Sequence, residues 1–494
     1  MSQIIGCAAG SHNSATPVVL LMAAAVSAVV IVPKAGIAVA ALLGAAVVLY
    51  FVLAVLDGKV EVPLLFWVVV FPLGYYFLTF PRERGIITLD RIAVGAMLVA
   101  MCLAPGTQTT TLPQALRRAA VVWGCFVLVA FVSAGKATDM LSSARTVLDG
   151  FFLPAILGWC VFRNFDVRRN LVTLHALVCI MAVYVAAIGA VEMATGTDIM
   201  PLPGVGLYFA GSVLRPNGPF ATDNSFALIG LIGFFFLLFL RRAIGKQMPW
   251  WQRLLHTAGV ASALATGLMP LFRSVGITLV IILLLDTFFK RRFDKLIASV
   301  AILLCVAGAL AIFSAKAPDA YQDRLDRGNF YSRVAEQRQT LELFKMHPIT
   351  GVGILNFFNV AQAQTRSVAV YKGFESVDAP HNNLGAILAE TGLMGFVPYA
   401  AAQVLFIIAC RKLTLKGTPQ SQAAWISFLY VFLSYWVSGL SLTSGYYSDL
   451  NLWYIFVQVI ICKYAITESR YVYAQRAPEL AARRVAAVQL QPSH

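Results

Sequence analysis

The apolar residues of the chain fall into long, nearly uninterrupted runs from one end to the other. Clear examples occupy residues 35–56, 62–80, 171–194, 254–271 and 384–410. Their lengths match the roughly 20 residues that an α-helix needs to cross a bilayer. The pattern predicts an all-α polytopic membrane protein with about 12–14 transmembrane helices. Residues 17–33 lack the basic start and the cleavage site of a secretory signal, so we expect them to form a retained helix.

Short basic segments alternate with pairs of these runs in the C-terminal two-thirds of the chain. They are "RNFDVRR" at 163–169, "RRAIGKQMPWWQR" at 241–253, "KRRFDK" at 290–295, the loop at 411–416 and the tail after Arg470. Because positive loops favour the cytoplasmic side of a bilayer, the segments between them should face the opposite side. Those segments are 136–149, 195–224, 272–274, 315–383 and 441–449.

The N-terminal topology stays open, because "PRERGIITLDR" and "ALRR" both resemble cytoplasmic loops although one short apolar run separates them. The helix count and the topology of residues 1–118 are therefore not fixed. The layout divides the chain into N-terminal transmembrane helices (1–314), a long ordered extracytoplasmic loop (315–383), C-terminal transmembrane helices (384–466) and a cytoplasmic tail (467–494). The loop is helix-like around 332–344, which favours an ordered cap over the membrane helices.

Composition agrees with a membrane location. Only 12% of the residues are charged, against roughly 25% in soluble proteins. The net charge of +15 lies in the loops, so we attribute it to topology and expect no nucleic-acid partner. No cysteine forms a CxxC pair or lies at metal spacing from a histidine, so neither a metal site nor a disulfide framework is expected. Nucleotide-loop, HExxH and EF-hand motifs are absent from the sequence too, and no cofactor is expected.

The stretch "APHNNLGAILAETGLMG", residues 379–395, places polar residues at the start of an apolar helix. Pro380 favours an extended backbone before the helix, and Asn382 or Asn383 can cap its N terminus. His381 then lies at the mouth of the membrane, where the positive end of the helix dipole disfavours the imidazolium ion. A neutral histidine can act as a general base, although a purely structural cap explains the same residues about as well.

Small residues continue at helical spacing in the same stretch. Gly385, Ala389 and Gly392 form a stripe that favours close helix packing. Glu390 follows His381 by nine residues, and nine steps of about 100° place it on the opposite side of the helix. We therefore interpret Glu390 as a buried hydrogen-bonding group rather than as a partner of His381.

Two arginines lie on the same predicted face as His381. Arg215 in "LRPNGPF" precedes a proline and glycine turn, and Arg273 in "LFRSVG" stands between two apolar runs with almost no loop. An arginine so close to lipid must reach the interface, pair with an acid or bind an anion. Because guanidinium groups bind phosphate oxygens, the two predict a site for a lipid-linked phosphate or diphosphate. Simple anchoring of helix ends is the alternative.

The long loop adds basic and aromatic residues that could hold sugars and phosphates, although such charges more often form a solvated surface. They are Arg324, Arg327, Arg333, Arg338, Arg366 and Lys372, with Tyr321, Phe330, Tyr331, Phe357 and Tyr371. Arg333, Asn382 and Asn383 are candidate supporting residues of the site.

Four segments resemble, in order, the motifs of the O-antigen ligase and polymerase family of bacterial surface-polysaccharide enzymes. They are "RPNGPF", the arginine of "FRS", "YSRVAEQRQTLELFKMHPITGVGILNFF" and "HNNLGAILAETGLMG". The resemblance covers the chain from Gly211 onward, and the last segment is the most specific. Two positions depart from the family pattern: Asp223-Asn224 stands where Pro-Asn is common, and Phe272 stands where a serine often precedes the second arginine.

The resemblance implies a bacterial inner-membrane glycosyltransferase with a periplasmic active site, which also makes the 315–383 loop periplasmic. Such an enzyme moves a glycan from an undecaprenyl-diphosphate carrier to an acceptor hydroxyl, without a metal and with inversion. Carried over by position, Arg215 and Arg273 would hold the diphosphate and His381 would activate the hydroxyl. Membrane lipids would be the remaining partners.

The acceptor separates two versions of this function. It would be a lipid A-core in an O-antigen ligase, which the "PITGVG" and "HNNLGAILAETGLMG" segments favour. It would be another repeat unit in an O-antigen, capsule or exopolysaccharide polymerase. A transporter or flippase of lipid-linked saccharide belongs to another class, and the sequence disfavours it because no inverted repeat is visible and the motifs concentrate on one face. The arginines also disfavour a purely structural membrane scaffold.

Overall fold

The computed structural model describes most of the chain between residues 48 and 489. The described residues are 48–77, 79–80, 86–103, 110–201, 208–210, 213–245, 248–290, 319, 328–375, 380–415, 418–441 and 444–489. The helix expected at 17–33, the "KRRFDK" loop beyond Lys290 and nearly all of 315–327 lie outside them. So do three predicted loop residues, Tyr321, Arg324 and Arg327.

Helices make up nearly all of the described structure. Residues 48–56 are helical. The further α-helices are α1 (Glu61–Phe77), α2 (Leu89–Leu103), α3 (Gln114–Ala134), α4 (Met140–Val147), α5 (Leu153–Asn164), α6 (Val167–Thr195), α7 (Asp223–Ile244), α8 (Trp250–Leu268), α9 (Arg273–Lys290), α10 (Gly328–Met346), α11 (Phe357–Gln364), α12 (Asn383–Leu415), α13 (Pro419–Gly439) and α14 (Ser448–Gln489). A π-helical turn at Leu148–Phe152 joins α4 to α5, and short 3-10 turns occur at Arg366–Val368 and Ser444–Tyr446.

The strands form three small antiparallel hairpins. They are β1 (Thr79–Phe80) with β2 (Ile87–Thr88), β3 (Tyr208–Ala210) with β4 (Val213–Arg215), and β5 (Val370–Tyr371) with β6 (Phe374–Glu375). Each hairpin connects helices, so the predicted all-α class is confirmed.

Six helices among the described residues are long and apolar enough to cross a membrane. They are Gln114–Ala134, Met140–Asn164, Val167–Thr195, Asp223–Ile244, Asn383–Thr414 and Ser448–Ser469. The polytopic membrane architecture predicted from the apolar runs is therefore confirmed. The total of about 12–14 spans stays a prediction, because the first 47 residues and 291–318 lie outside the described part.

The helix α14 forms the centre of the bundle. Within its membrane window 89% of the residues are buried, compared with 28% for α3. Aromatic side chains fill the space around it: Trp453 stacks on Phe71 of α1 with 5.2 Å between ring centroids, and Phe236 of α7 meets it edge-on at 6.0 Å. The span carries three buried polar residues, Asn451, Gln458 and Lys463, which would be unfavourable against lipid, so a central position suits it.

Two contacts on either side of α2 bear on the topology that the N-terminal charges left open. Arg91 at the start of α2 forms a double hydrogen bond to the Asp149 carboxylate, with two distances of 2.7 Å. At the other end of the α4–α5 span, the amide of Thr110 donates to the carbonyl of Arg163 at 3.2 Å. Arg91 therefore lies on the face of Asp149, whereas Thr110, seven residues beyond the end of α2, lies at the face of Arg163. Arg91 is paired with a carboxylate on the same face as the 136–149 segment, which the sequence predicts to be extracytoplasmic, so its charge is not evidence for a cytoplasmic loop and the membrane side of "PRERGIITLDR" stays open.

A loop inserts into a break in α12. Gly392 interrupts the helix with φ +61°, and Gly351 in the "PITGVG" loop has φ +65°. The loop replaces the missing helical bonds: the amide of Gly353 donates to the Glu390 carbonyl at 2.9 Å, and Met394 donates to Ile349 at 3.0 Å. A Cβ atom on either glycine would lie 2.3–2.4 Å from the backbone of the other segment. The two glycines are therefore needed for this close approach, which joins two family-like motifs into one unit.

Two of the three residues in the small-residue stripe predicted on α12, Gly385 and Ala389, lie at a helix–helix contact. A Cβ atom on Gly385 would meet the Thr340 side chain of α10 at 3.1 Å, and Ala389 is buried against Leu343. These two positions do allow α10 to pack closely on α12. Gly392 does not belong to the stripe, because it sits in the helix break. The α10 helix contains the segment predicted as helical around 332–344.

Candidate active site

Arg215 is held by three contacts at the end of β4. Its Nη2 lies 2.5 Å from Oδ2 of Asp223, and only 11% and 6% of the two side chains are exposed. Its Nε donates to the carbonyl of Pro270 at 3.2 Å, and its guanidinium lies 4.3 Å above the ring of Phe272. The arginine is thus fixed against the first residue of α7 and against the turn that leads into α9.

Arg273 begins α9 directly after this turn. The preceding Leu271 has φ +59°, a left-handed conformation that is unusual for leucine and marks a constrained turn. The side chain of Arg273 is exposed and forms no hydrogen bond or ion pair with the residues that the structure describes. Since Arg215 contacts both Pro270 and Phe272, the structure brings the two predicted arginines to one turn.

His381 faces a buried carboxylate. Its Nε2 lies 3.8 Å from Oε1 of Glu336, whose side chain is 3% exposed, while the imidazole itself is 20% exposed. The second carboxylate oxygen of Glu336 accepts from Arg333 at 3.2 Å. The distance of 3.8 Å suits an ion pair but exceeds a hydrogen bond. The histidine therefore lies between the solvent side and a negative charge that α10 holds in place.

The two asparagines after His381 have different structural roles. Oδ1 of Asn382 accepts from the amides of Leu384 and Gly385 at 2.9 and 3.2 Å, so Asn382 is the helix cap. Asn383 is buried, and its Oδ1 accepts from the amide of Gly445 at 2.7 Å. This second bond ties the start of α12 to the loop before α14. Either residue could have been the cap from sequence alone.

The helix ends that carry His381 and the arginines lie on one face of the bundle, which we call the site face. Thr278, near the start of α9, approaches Ser438 of α13 with 3.3 Å between the hydroxyl oxygens. The next residue, Gly439, packs so closely on Asn383 that a Cβ atom there would lie 2.5 Å from the amide nitrogen. The start of α9 and the start of α12 are therefore joined through the end of α13.

A buried carboxylate also supports the turn after Arg215. Glu192, in the last turn of α6, accepts from the amide of Gly218 at 2.8 Å. Gly218 has φ +55°, and a Cβ atom there would collide with Phe226 at 2.5 Å. The "RPNG" turn thus requires glycine at this position and a polar partner beneath it.

Glu390 has a structural position, as the sequence predicted. Its Oε2 accepts from the Tyr446 hydroxyl at 2.5 Å, and its Oε1 accepts from the amide of Phe357 at 3.3 Å. Burial raises the pKa of Tyr446 well above its usual value, and the neighbouring Glu390 charge adds to the effect. The phenol therefore stays a hydrogen-bond donor to Glu390.

Four of the predicted loop residues form an aromatic and basic surface, which we call the α10 patch: Tyr331, Arg338, Tyr371 and Lys372. The Arg338 guanidinium lies 4.5 Å above the Tyr371 ring, and Lys372 lies 5.1 Å from the Tyr331 ring. Phe357 does not join it, because its ring is buried in a small cluster with Leu343 of α10 and Ala389 of α12.

The structure also shows two site residues that sequence reasoning missed as functional. Glu336 is the carboxylate beside His381, and Asp223 is the ion-pair partner of Arg215. The signal for Glu336 was its position three residues after Arg333, which predicts a pair on one helix face. Asp223 was noted only as a departure from the family pattern, and Phe272, the other departure, also contacts Arg215.

The expectation that no cysteine lies at metal spacing from a histidine was wrong. Sγ of Cys179 lies 3.7 Å from Nε2 of His175, one turn earlier on α6, and His256 of α8 joins them. The i, i+4 spacing of His175 and Cys179, which places both on one helix face, is the sequence signal for this cluster.

Comparison with known proteins points to the same family as the motifs. Residues 273–400 match the family model described as O-antigen ligase. None of the curated proteins matches the chain. The matched segment runs from Arg273 through the break in α12 and contains Arg333, Glu336 and His381, while Arg215 precedes it. This match confirms the predicted resemblance over residues 273–400.

Proposed function

We propose that this protein is a bacterial inner-membrane glycosyltransferase of the O-antigen ligase type. It transfers a glycan from an undecaprenyl-diphosphate carrier to a hydroxyl of a lipid A-core, with its site face toward the periplasm. The observation that carries the proposal is the placement of His381 against the buried carboxylate of Glu336, on the face that also bears Arg215 and Arg273. A histidine supported by a carboxylate is a recurrent arrangement for activating a hydroxyl.

The proposed reaction needs one proton transfer and one displacement. His381 takes the proton of the acceptor hydroxyl while the hydroxyl oxygen attacks the anomeric carbon of the glycan. The bond from that carbon to the diphosphate oxygen breaks, and undecaprenyl diphosphate leaves with the electron pair. Attack from the side opposite the leaving group inverts the anomeric centre. The Glu336 carboxylate stabilises the imidazolium that forms.

The arginines supply positive charge to the leaving group. Arg273 is exposed at the start of α9, where the helix dipole adds partial positive charge. Arg215 is fixed by the turn beside it and is ready to bind once the diphosphate competes with Asp223. Two guanidinium groups that meet the charge as it develops lower the barrier by electrostatic stabilisation, so the proposed mechanism uses no metal.

The α10 patch provides a second observation relevant to the acceptor. Aromatic rings with basic groups above them can bind the faces of sugars and the phosphates of a lipid A-core. A growing glycan would use the same contacts, so repeat-unit polymerase stays the alternative version of the proposal. The reaction products distinguish the two: a single transfer of preformed polymer to lipid A-core indicates a ligase, and stepwise elongation of lipid-linked repeats indicates a polymerase.

The test is transfer by the purified full-length protein in detergent or proteoliposomes, with a lipid-linked glycan donor and a lipid A-core acceptor. We expect His381→Ala and Arg273→Ala each to reduce transfer by about 10²-fold or more. Lys345→Ala is the matched control, since this exposed residue of α10 pairs only on the helix surface with Glu342 at 2.7 Å. Full activity in both site variants would refute the proposed roles, and transport of lipid-linked saccharide without transfer would favour a flippase.

A further inference from the structure

Three potential metal ligands meet between α6 and α8, far along the helices from the site face. Nε2 of His175 lies 3.1 Å from Nδ1 of His256 and 3.7 Å from Sγ of Cys179. The three ligand atoms all lie within 4.8 Å of one another. His175 and Cys179 are fully buried, and His256 is half-buried. The cluster lies in the first part of both helices, whereas Glu192 and the "RPNG" turn lie at the other end of α6.

The two separations that involve His175 match the edges of a tetrahedral metal site. Zinc binds imidazole nitrogen at about 2.05 Å and thiolate sulfur at about 2.3 Å. With tetrahedral angles, two nitrogen ligands are then about 3.3 Å apart, and a nitrogen and a sulfur ligand about 3.6 Å apart. The observed values of 3.1 and 3.7 Å differ from these edges by about 0.2 Å or less. The third edge, between His256 and Cys179, is within 4.8 Å, so one ion at the cluster would draw these two side chains together while His175 keeps its position.

Close packing of the two helices creates this convergence. Gly259 of α8 faces Cys179, and a Cβ atom at that position would lie 2.9 Å from the sulfur. Because Gly259 has no side chain, α8 can approach α6 closely. This approach brings His256, which lies one turn before Gly259 on α8, next to the two ligands on α6. Sequence positions 175, 179 and 256 are thus brought together by helix packing rather than by a local motif.

A buried amide completes the surroundings of the cluster. The side-chain amide of Gln252 lies 3.3 Å from Nδ1 of His175. An amide oxygen and nitrogen are interchangeable in position, so the oxygen can accept from Nδ1–H of the histidine. That bond leaves the lone pair of Nε2 directed at the cluster. Outer-layer hydrogen bonds of this type fix the orientation of metal-bound histidines.

We propose that His175, Cys179 and His256 bind one zinc-class transition-metal ion, with a fourth position open to water or an added ligand. Imidazole and thiolate donors suit zinc and exclude magnesium and calcium, which take oxygen ligands. Binding replaces the thiol proton of Cys179 with the metal, and the proton leaves to solvent. The ion would crosslink α6 to α8, so it would stabilise the helix pair without taking part in transfer at the site face.

The experiment is metal titration of the purified full-length protein after removal of bound metal with a chelator. Zn²⁺ should bind at one ion per chain and raise the melting temperature. Co²⁺ should give visible d–d bands and a thiolate-to-cobalt charge-transfer band. Cys179→Ser should abolish the charge-transfer band, and His256→Ala should weaken Zn²⁺ binding by more than about tenfold.

A second cysteine pair provides the matched control. Sγ of Cys410 lies 3.3 Å from Sγ of Cys462, far from any described histidine cluster, so Cys410→Ser should leave stoichiometry and spectrum unchanged. The metal-free melting temperatures of all variants show whether each is folded. Absence of saturable binding in the folded wild-type protein would overturn the proposal. Equal binding by wild type, Cys179→Ser and His256→Ala would overturn it as well, by showing that the ion binds elsewhere.

Discussion

The contact between His381 and the Glu336 carboxylate predicts a loss of transfer rate in the variant Glu336→Gln. Nε2 of the imidazole lies 3.8 Å from Oε1 of the carboxylate. At an effective dielectric constant of about 20, a full charge pair at this distance is worth about 4 kcal/mol. Water at the partly exposed imidazole and the positive charge of Arg333 both weaken the interaction. We take about half, or about 2 kcal/mol, which corresponds to about thirtyfold in rate.

The substitution is nearly isosteric, so the buried site stays filled while the charge is removed. If the imidazolium forms in the transition state, Glu336→Gln should lower kcat by about thirtyfold and leave the donor KM close to its original value. The acidic limb of the pH profile of kcat/KM should move to lower pH, because protonated His381 loses its negative neighbour. A merely structural role of Glu336 would not move this limb.

The assay is the initial rate of glycan transfer across a range of pH with saturating acceptor. Glu342→Gln is the matched control, because it makes the same change on the same helix at an exposed ion pair. We expect this control to keep the wild-type rate and profile. An unchanged kcat and acidic limb in folded Glu336→Gln would refute the charge-support role, as would an equal loss in the control.

Three further variants test other parts of the site. Asp223→Asn removes the counter-charge of the buried Arg215. We expect lower thermal stability, since breaking such a pair costs about 3–5 kcal/mol. We also expect a lower KM for the donor, and a raised KM would contradict competition between Asp223 and the diphosphate. Gly392→Ala should lower the free energy of unfolding by about 1–3 kcal/mol or more, measured in thermal melts. Gly124→Ala is the control, because a Cβ atom there meets open space, and it should leave the melting temperature nearly unchanged. Tyr446→Phe should cost about 1–3 kcal/mol by removing the hydroxyl that donates to Oε2 of Glu390. The same melts measure this loss, and an unchanged unfolding midpoint in Tyr446→Phe would contradict the assignment.

The sequence predicted those features that depend on local patterns. Long apolar runs gave the membrane helices, because the bilayer imposes one length on every span. The "HNN" step gave a capped helix start, and the opposite orientation of Glu390 followed from helical periodicity. Each of these properties is set by residues within a few turns of one another.

Features that depend on distant partners could not be predicted in the same way. Arg91 carries the charge of a cytoplasmic loop but pairs with Asp149, 58 positions away. Gly392 fits the spacing of a packing stripe, and only the insertion of the 348–353 loop shows why the helix breaks there. The sequence pattern of Glu336 is that of an ordinary carboxylate on a helix surface, but the packing of α10 on α12 buries it. In each case tertiary contacts changed the meaning of a correct local pattern.

The two departures from the family pattern, Asp223 and Phe272, both stabilise Arg215 when no substrate is bound. A guanidinium that is 11% exposed in a membrane protein needs a counter-charge, because an unpaired buried charge is strongly unfavourable. Asp223 supplies that charge, and the ring of Phe272 supports the flat face of the same group. A diphosphate that binds Arg215 must displace or share the Asp223 carboxylate, whereas Arg273 faces no such competitor among the described residues. The two arginines should therefore contribute unequally to binding of the donor. Arg273 can contact the diphosphate first, whereas Arg215 can bind it only by exchanging the Asp223 carboxylate for the diphosphate.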